Sequence, residues 1–150
     1  MSRIYNGTTQ YSSVASTLLG DEPLSMFCWG NSNSATASQV CVALGNNGAS
    51  GRFNVTFRGT TVGDPFGGVK DNDAGTGAVV ADSSTGYSVT TWHHGVGVFR
   101  SNTSRDAYID GGSKGSDATS RTDPTPDFIA VGALRTNTVI GFSLVVCKTL

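Results

Sequence analysis

The adjacent histidines His93 and His94 are the residues whose type most directly suggests metal binding or proton transfer. They lie where apolar and polar residues alternate, which predicts a strand over residues 91–99. Neighbouring side chains of a strand point to opposite faces, so the two imidazoles cannot easily bind one ion. We therefore predict that each is a core or half-buried histidine with a hydrogen-bonded ring.

Carboxylates are the second group that could do chemistry, because retaining glycosidases hold two carboxyl groups ~5 Å apart. The sequence has a single glutamate, Glu22, in a turn before a proline. The closest carboxylate pair on one face, Asp71 and Asp73, lies in a glycine-rich loop. The motifs of a serine nucleophile elbow and of a Walker-type phosphate loop are not recognisable. We predict that the protein is not an enzyme and has no catalytic residues.

Aromatic residues could bind a glycan by stacking on its sugar rings, with asparagine or aspartate reading the hydroxyl groups. Phe66, Tyr87 and Tyr108 are the possible platforms, and packing inside the protein is the alternative for each. Tyr108 lies within a predicted strand, where we expect it to line the core. Phe66 and Tyr87 remain as the ligand-binding candidates.

The elements that must position these residues are short strands. Charged residues make up 14% of the chain, against about 25% in typical soluble domains, and 20 of the 150 residues are glycine. The stretches 62–84 and 113–127 are predicted to be surface loops, and no window shows helical spacing with caps. The pattern predicts one all-β domain over residues 1–150, a sandwich, jelly roll or barrel. Alternating runs predict strands at 11–15, 24–29, 39–44, 52–57, 91–99, 106–110, 128–134 and 142–147.

The two faces of the strand at 91–99 differ sharply. Trp92, His94 and Val96 share one face, whereas Gly95 and Gly97 leave the other almost flat. A flat face lets another strand or a loop approach closely.

Charge and termini exclude several function classes. The net charge is −1 and the ten lysines and arginines are scattered, so we expect no nucleic-acid binding. No apolar stretch approaches the ~20 residues of a membrane span, and we expect no membrane partner. The N-terminus turns polar at once and resembles no signal peptide, which predicts a protein made in the cytoplasm.

The cysteines Cys28, Cys41 and Cys147 are odd in number and lie in apolar runs. Without an export signal, this argues against a disulfide framework. We predict buried free thiols, and a Cys28–Cys41 bridge between neighbouring strands is the alternative.

Several segments resemble, in order, the concanavalin A-like lectin/laminin G-like jelly roll. The most specific match is the segment 92–99, which is followed by an aromatic-apolar-Asp-Gly strand and turn at 107–111. The resemblance implies an antiparallel two-sheet jelly-roll sandwich. It also implies that Trp29, Trp92, His94 and Tyr108 are structural core residues. The remaining matching segments are 4–11, 24–29, 128–133 and 142–150.

Some members of that family bind Ca²⁺ at the loop rims. Alternating aspartates near glycines can supply oxygen ligands, but the third acidic ligand and bidentate glutamate of an EF-hand are missing. We predict a solvated turn and no cofactor. A calcium site formed by Asp71, Asp73 and Asp82 is the alternative.

Small stand-alone domains of this family resemble those found among bacteriophage structural genes. The resemblance implies a virion protein, a capsid decoration or head/tail fibre component, that is made in the host cytoplasm. It would dock through a sheet edge or a set of loops onto capsid or other virion subunits, or onto a second copy of itself. The alternative is a carbohydrate-binding module for host attachment, with or without Ca²⁺.

Overall fold

The computed structural model describes residues 2–5, 9–15, 21–135, 139–140 and 146–148. Within these residues every regular element is a β-strand, and no helix is long and apolar enough to span a membrane. In chain order the strands are β1 (Ser2–Ile4), β2 (Ser12–Ala15), β3 (Leu24–Asn31), β4 (Ser38–Gly45), β5 (Arg52–Arg58), β6 (Pro65–Asp71), β7 (Val79–Gly86), β8 (Trp92–Ser101), β9 (Ser104–Ile109), β10 (Gly112–Asp117), β11 (Phe128–Val131), β12 (Leu134–Arg135), β13 (Val139–Ile140) and β14 (Val146–Lys148).

Two antiparallel sheets form the sandwich. The six-stranded sheet has the order β2-β11-β4-β5-β6-β7, and the four-stranded sheet has the order β10-β9-β8-β3. The pairs β1–β14 and β12–β13 are two small additional ladders. The predicted all-β, antiparallel, two-sheet jelly-roll sandwich is confirmed.

Three strands lie in stretches that the sequence predicted as loops: β6, β7 and most of β10. They are rich in glycine and serine, so they show no apolar alternation, and packing decides their conformation instead. A Cβ atom at Gly115 of β10 would lie 1.5 Å from the carbonyl oxygen of Asp82 in β7. The glycine therefore lets the backbones of the two sheets meet, which closes this side of the sandwich. The predicted strand at 142–147 lies largely outside the described residues.

Four phenylalanines form the centre of the core. Phe53, Phe57 and Phe66 come from the six-stranded sheet and Phe99 from the four-stranded sheet, and all four are fully buried. Phe53 meets Phe99 edge to face with ring centroids 5.1 Å apart, and Phe57 meets Phe66 at 5.3 Å. Burying each side chain contributes ~1.5–3 kcal/mol relative to exposure, so these rings hold the sheets together.

The glycine face of β8 is the face that lies in the core. A Cβ atom at Gly95 would lie 2.2 Å from the ring of Phe66, and one at Gly97 would lie 2.6 Å from Val55. The close approach predicted for this face is confirmed, and its partner is the six-stranded sheet. Since Gly95 and Gly97 point inward, Trp92 must point outward.

The prediction that Trp29 and Trp92 are core residues is therefore wrong. Each is 39% exposed. His94 and Tyr108, predicted for the core as well, are only half-buried on the same outer face. The physical reason is that Phe66 and its neighbours already fill the space over β8, which leaves the indoles of the four-stranded sheet outside.

Cys28 and Cys41 are buried thiols outside any disulfide, as predicted, and the alternative of a bridge between them is wrong. The side chain of Cys147 lies outside the described residues.

Candidate functional site: an aromatic sheet face

The outer face of the four-stranded sheet carries a group of aromatic side chains, which we call the aromatic face. It consists of Phe27 and Trp29 on β3, Trp92 and His94 on β8, and Tyr108 on β9. The strand register brings them together, because Trp29 lies opposite His94. Phe27 and Tyr108 both lie opposite Val96, one on each side of β8.

The rings of the aromatic face are exposed yet supported by one another. Phe27 is 69% exposed, more than Trp29 or Trp92. The ring centroids of Trp29 and His94 are 5.2 Å apart with the planes tilted by 35°, and those of Phe27 and His94 are 6.4 Å apart. The half-buried imidazole of His94 thus restricts the side-chain rotamers of Phe27 and Trp29. This restriction lowers the conformational entropy that these side chains lose when a ligand binds.

One end of the aromatic face is polar. Asp106 on β9 accepts a hydrogen bond from Ser116 Oγ at 2.6 Å, forms ion pairs with Arg100 and with Lys114 (Nζ at 3.1 Å), and lies 3.3 Å from the hydroxyl of Tyr108. Burial raises the pKa of Asp106, but the hydrogen bonds from Ser116, Arg100 and Lys114 outweigh it and lower the pKa to about 2.

This polar end keeps donors for a ligand. The side chains of Arg100 and Lys114 are 45% and 53% exposed, whereas Asp106 is 4% exposed. Two cations against one carboxylate leave an excess of one positive charge beside the aromatic rings. Guanidinium and ammonium groups have several N–H donors each, so they can bind a ligand oxygen while they hold Asp106.

The structure places the predicted ligand-binding residues elsewhere. Phe66 is fully buried, and Tyr87 is 6% exposed with its hydroxyl donating to the carbonyl oxygen of Ser34 at 2.6 Å. The Tyr87 ring packs edge to face on Phe57, with centroids 4.9 Å apart. The prediction that Phe66 and Tyr87 bind a ligand is wrong, because both fill the space between the sheets.

The three candidate calcium ligands do not come together. Asp71 pairs with Arg52 at 3.2 Å, Asp82 pairs with Arg58, and Asp73 accepts hydrogen bonds from the backbone and side chain of Thr125. In the described part of the chain, no group of three or more His, Cys, Asp or Glu side chains could hold a metal ion. The alternative of a joint calcium site is therefore not supported by the geometry.

A family model described as the concanavalin A-like lectin/glucanases superfamily matches residues 6–139. The chain belongs to this superfamily. No curated protein matches it.

Solved structures share the concanavalin A-like fold at low identity. A native heptameric SAP-like pentraxin from Limulus polyphemus has a TM-score of 0.70 at 10% identity, over 98% of this chain and 73% of its own. The CBM40 domain of a Ruminococcus gnavus IT-sialidase, bound to α2,3-sialyllactose, has a TM-score of 0.65 at 10% identity, over 98% of this chain and 89% of its own. Domains LG4-5 of the mouse laminin α1 chain have 0.65 at 15%, over 98% of this chain and 39% of the laminin chain. At these identities the likeness shows the fold alone.

His93 is a structural residue of the concanavalin A-like domain. It is buried, its Nδ1 lies 2.7 Å from a carboxylate oxygen of Asp110, and its Nε2 accepts a hydrogen bond from the backbone N–H of Ser88 at 3.0 Å. Both ring nitrogens are therefore occupied, and the ring cannot act as a base without losing a contact. The prediction of a hydrogen-bonded histidine is confirmed for His93.

Sequence reasoning missed a buried ion cluster at Lys70. This fully buried lysine of the concanavalin A-like domain donates to Glu22 at 2.8 Å, to Asn102 at 2.8 Å and to Asp123 at 2.6 Å. Burial raises the pKa of Glu22, and the hydrogen bond from Lys70 opposes the rise. The cluster ties three connecting segments to β6, namely those that contain Glu22, Asn102 and Asp123. No local signal could have revealed it, because Glu22 and Asp123 are 48 and 53 positions away from Lys70 in the sequence.

Proposed function

We propose that the chain is a non-catalytic carbohydrate-binding module whose binding surface is the aromatic face. The observation that carries the proposal is the exposure of Phe27, Trp29 and Trp92 on one side of a single sheet. Apolar patches of this kind on a soluble domain mark interaction sites. The C–H faces of sugar rings stack on flat aromatic surfaces, and indoles combine a large apolar face with a polar N–H.

The polar end of the face supports the same proposal. Sugars need hydrogen-bond partners for their hydroxyl groups beside the stacking surface. Arg100 and Lys114 supply donors, and the Tyr108 hydroxyl, whose O–H is directed to Asp106, supplies an acceptor oxygen. The Ruminococcus gnavus domain bound to sialyllactose supports the proposal, because it is a domain of this fold that carries a sugar. At 10% identity, the likeness does not identify binding residues in this chain.

The test is a glycan array followed by titration calorimetry with the best ligand. We expect Trp29→Ala and Trp92→Ala each to weaken binding at least tenfold, since central aromatic anchors contribute about 2 kcal/mol or more. Val62→Ala is the matched control, because Val62 is fully exposed in the loop that joins β5 and β6 of the six-stranded sheet. Absence of glycan binding, or equal affinity of all three variants, would contradict the proposal.

A second candidate function is docking onto virion subunits, as a capsid decoration or fibre protein. The observation that favours it is the aliphatic part of the same face. Val96 and Val98 lie beside Phe27, and such a mixed apolar surface suits a protein partner. A decoration protein should bind assembled capsids at a fixed stoichiometry and ignore the glycan array. Binding to capsids that survives Phe27→Ala unchanged would argue against docking through this face.

A further inference from the structure

Two cations meet on one oxygen at the polar end of the aromatic face. Arg100 of β8 donates to Oδ2 of Asp106, and Nζ of Lys114 of β10 lies 3.1 Å from the same oxygen. The two nitrogens are therefore no farther apart than the lengths of both bonds together. Because the Asp106 side chain is buried and those of Arg100 and Lys114 are half-exposed, the cations lie on the solvent side of the carboxylate. We call Arg100 and Lys114 the cation pair.

The cation pair keeps a positive charge and hydrogen-bond donors for a ligand. The carboxylate of Asp106 offsets one of the two cations, and it also accepts hydrogen bonds from Ser116 and Tyr108. A guanidinium and an ammonium together have more N–H donors than Asp106 and the Tyr108 oxygen can accept. Hydrogen bonds from such groups to an oxyanion are about twice as strong as those between neutral partners. The cation pair is therefore suited to an acidic group of a ligand.

The opposite end of the aromatic face carries a negative charge. Asp110 follows β9, and it accepts a hydrogen bond from the backbone N–H of His94, which lies opposite Trp29. Its other oxygen accepts from Nδ1 of His93, whose ring is neutral because its Nε2 accepts a hydrogen bond from Ser88. An acidic group is thus repelled beside Trp29 and attracted at the cation pair, which sets the direction of an acidic ligand on the sheet.

The distance between the two ends exceeds the size of one sugar ring. Trp29 lies opposite His94, and Asp106 lies opposite Val98, farther along β8. At ~3.3 Å per residue, the separation of His94 and Val98 along the strand is about 13 Å. Phe27 of β3 lies between the two ends, so the aromatic surface continues towards the cation pair. A ligand that contacts both ends is therefore an oligosaccharide.

We propose that the aromatic face selects oligosaccharides that carry an acidic group, a carboxylate or a sulfate ester, at one end. The cation pair binds the acidic group, and the neutral sugar rings that follow it stack on Phe27 and Trp29. This inference rests on the proposed glycan-binding function and adds to it the class of glycan and its direction on the sheet. Stacking supplies affinity for the sugar rings, and the cation pair supplies the preference for acid.

The test compares matched oligosaccharides on a glycan array. Each set holds a neutral oligosaccharide, the same one with its terminal hexose replaced by the uronic acid, and the same one with a sulfate ester on the terminal primary hydroxyl. We expect at least one acidic member to bind about tenfold more tightly than its neutral counterpart, because charge-assisted hydrogen bonds are added. In titration calorimetry this preference should shrink between about 0.1 M and about 1 M NaCl, where the screening length falls from ~10 Å to ~3 Å.

Variants separate the two ends of the face. Arg100→Gln and Lys114→Gln should each weaken binding of the acidic member severalfold and leave the neutral member unchanged, and the double variant should bind both equally. Glutamine keeps a donor for Asp106, which limits the loss of stability, and urea unfolding verifies the fold. Trp29→Ala should weaken both members by the same factor. The matched control is Val62→Glu, which changes the net charge by the same single unit at a fully exposed loop position and should bind like the wild type.

The possible failures of this inference and of the glycan-binding proposal can be told apart. Binding of the neutral members without a preference for the acidic ones would overturn the inference and leave the glycan-binding function intact. A preference for acidic members that persists in the double variant, or that salt does not reduce, would place the acidic group elsewhere and would also overturn it. Absence of binding to every glycan would contradict both.

Discussion

The two faces of β8 use the same strand in opposite ways. The centre of its inner face is bare, with Gly95 and Gly97 beneath side chains of the opposite sheet and with His93 and Phe99 on either side of them, whereas its outer face carries Trp92 and His94. The side chains that fill the core over these two glycines come from the other sheet, Phe66 over Gly95 and Val55 over Gly97. Large aromatic residues on a strand therefore do not have to mark its buried face. They are available for binding when the facing sheet fills the core.

The largest loss in the free energy of unfolding should come from Phe66→Ala, which removes the ring that packs on the inner face of β8. Truncating a fully buried phenylalanine costs about 3–5 kcal/mol, and no side chain of β8 can fill the cavity above Gly95. We expect urea unfolding to show that loss, or the variant to fail to fold. A loss below ~1 kcal/mol would contradict the packing described for the inner face.

Gly95→Ala should be the next most harmful change. The new methyl group would lie 2.2 Å from the Phe66 ring, so the sheets must separate or the ring must move, which typically costs about 1–3 kcal/mol. The double variant with Phe66→Leu should be less unstable than the sum of the single variants. An additive result in this double-mutant cycle would show that the two positions do not touch.

The polar end of the outer face should make stability depend on pH. Because the folded pKa of Asp106 is lowered to about 2 from an ordinary value of 3.8, its carboxylate stabilises the fold fully above pH ~4. That contribution, about 2 kcal/mol, should be lost as the pH falls from about 4 to about 2. Asp106→Asn should flatten this part of the profile in urea unfolding, whereas Asp21→Asn should retain it. An unchanged profile in Asp106→Asn would show that other groups control acid stability.

The smallest effect on stability should come from the most exposed ring. Phe27→Ala removes a side chain that is 69% exposed, so we expect the free energy of unfolding to change by about 0.5 kcal/mol or less. The same variant should nevertheless weaken binding to a ligand of the aromatic face. A large loss of stability without a loss of binding would reverse our assignment of the outer face.

The fold could be predicted from the sequence where strands alternate in hydrophobicity. β3, β4, β5, β8, β9 and β11 all coincide with predicted strands. β6 and β7 could not be predicted in this way, because their small residues do not alternate with apolar ones. These small residues allow close contacts with other strands, such as that of Gly67 with Arg58, and such contacts leave no pattern in the local sequence.

For the candidate site, the sequence did not show which aromatic residues are buried and which are exposed. A period of two divides a strand into two faces but does not say which face is buried. Trp29 and Trp92 were assigned to the core by resemblance and lie outside, whereas Phe66, a candidate ligand platform for which packing was the alternative, lies inside. Only the arrangement of the opposite sheet decides the choice, and that arrangement depends on contacts between residues far apart in the sequence.

The most direct test of the aromatic face uses the intrinsic fluorescence of the chain, because both of its tryptophans, Trp29 and Trp92, lie on that face. We predict emission typical of water-exposed indoles in the native protein, efficient quenching by acrylamide, and protection from quenching when a glycan identified on the array is added. Blue-shifted emission that acrylamide does not quench in the native protein would place the indoles in the core and contradict the account.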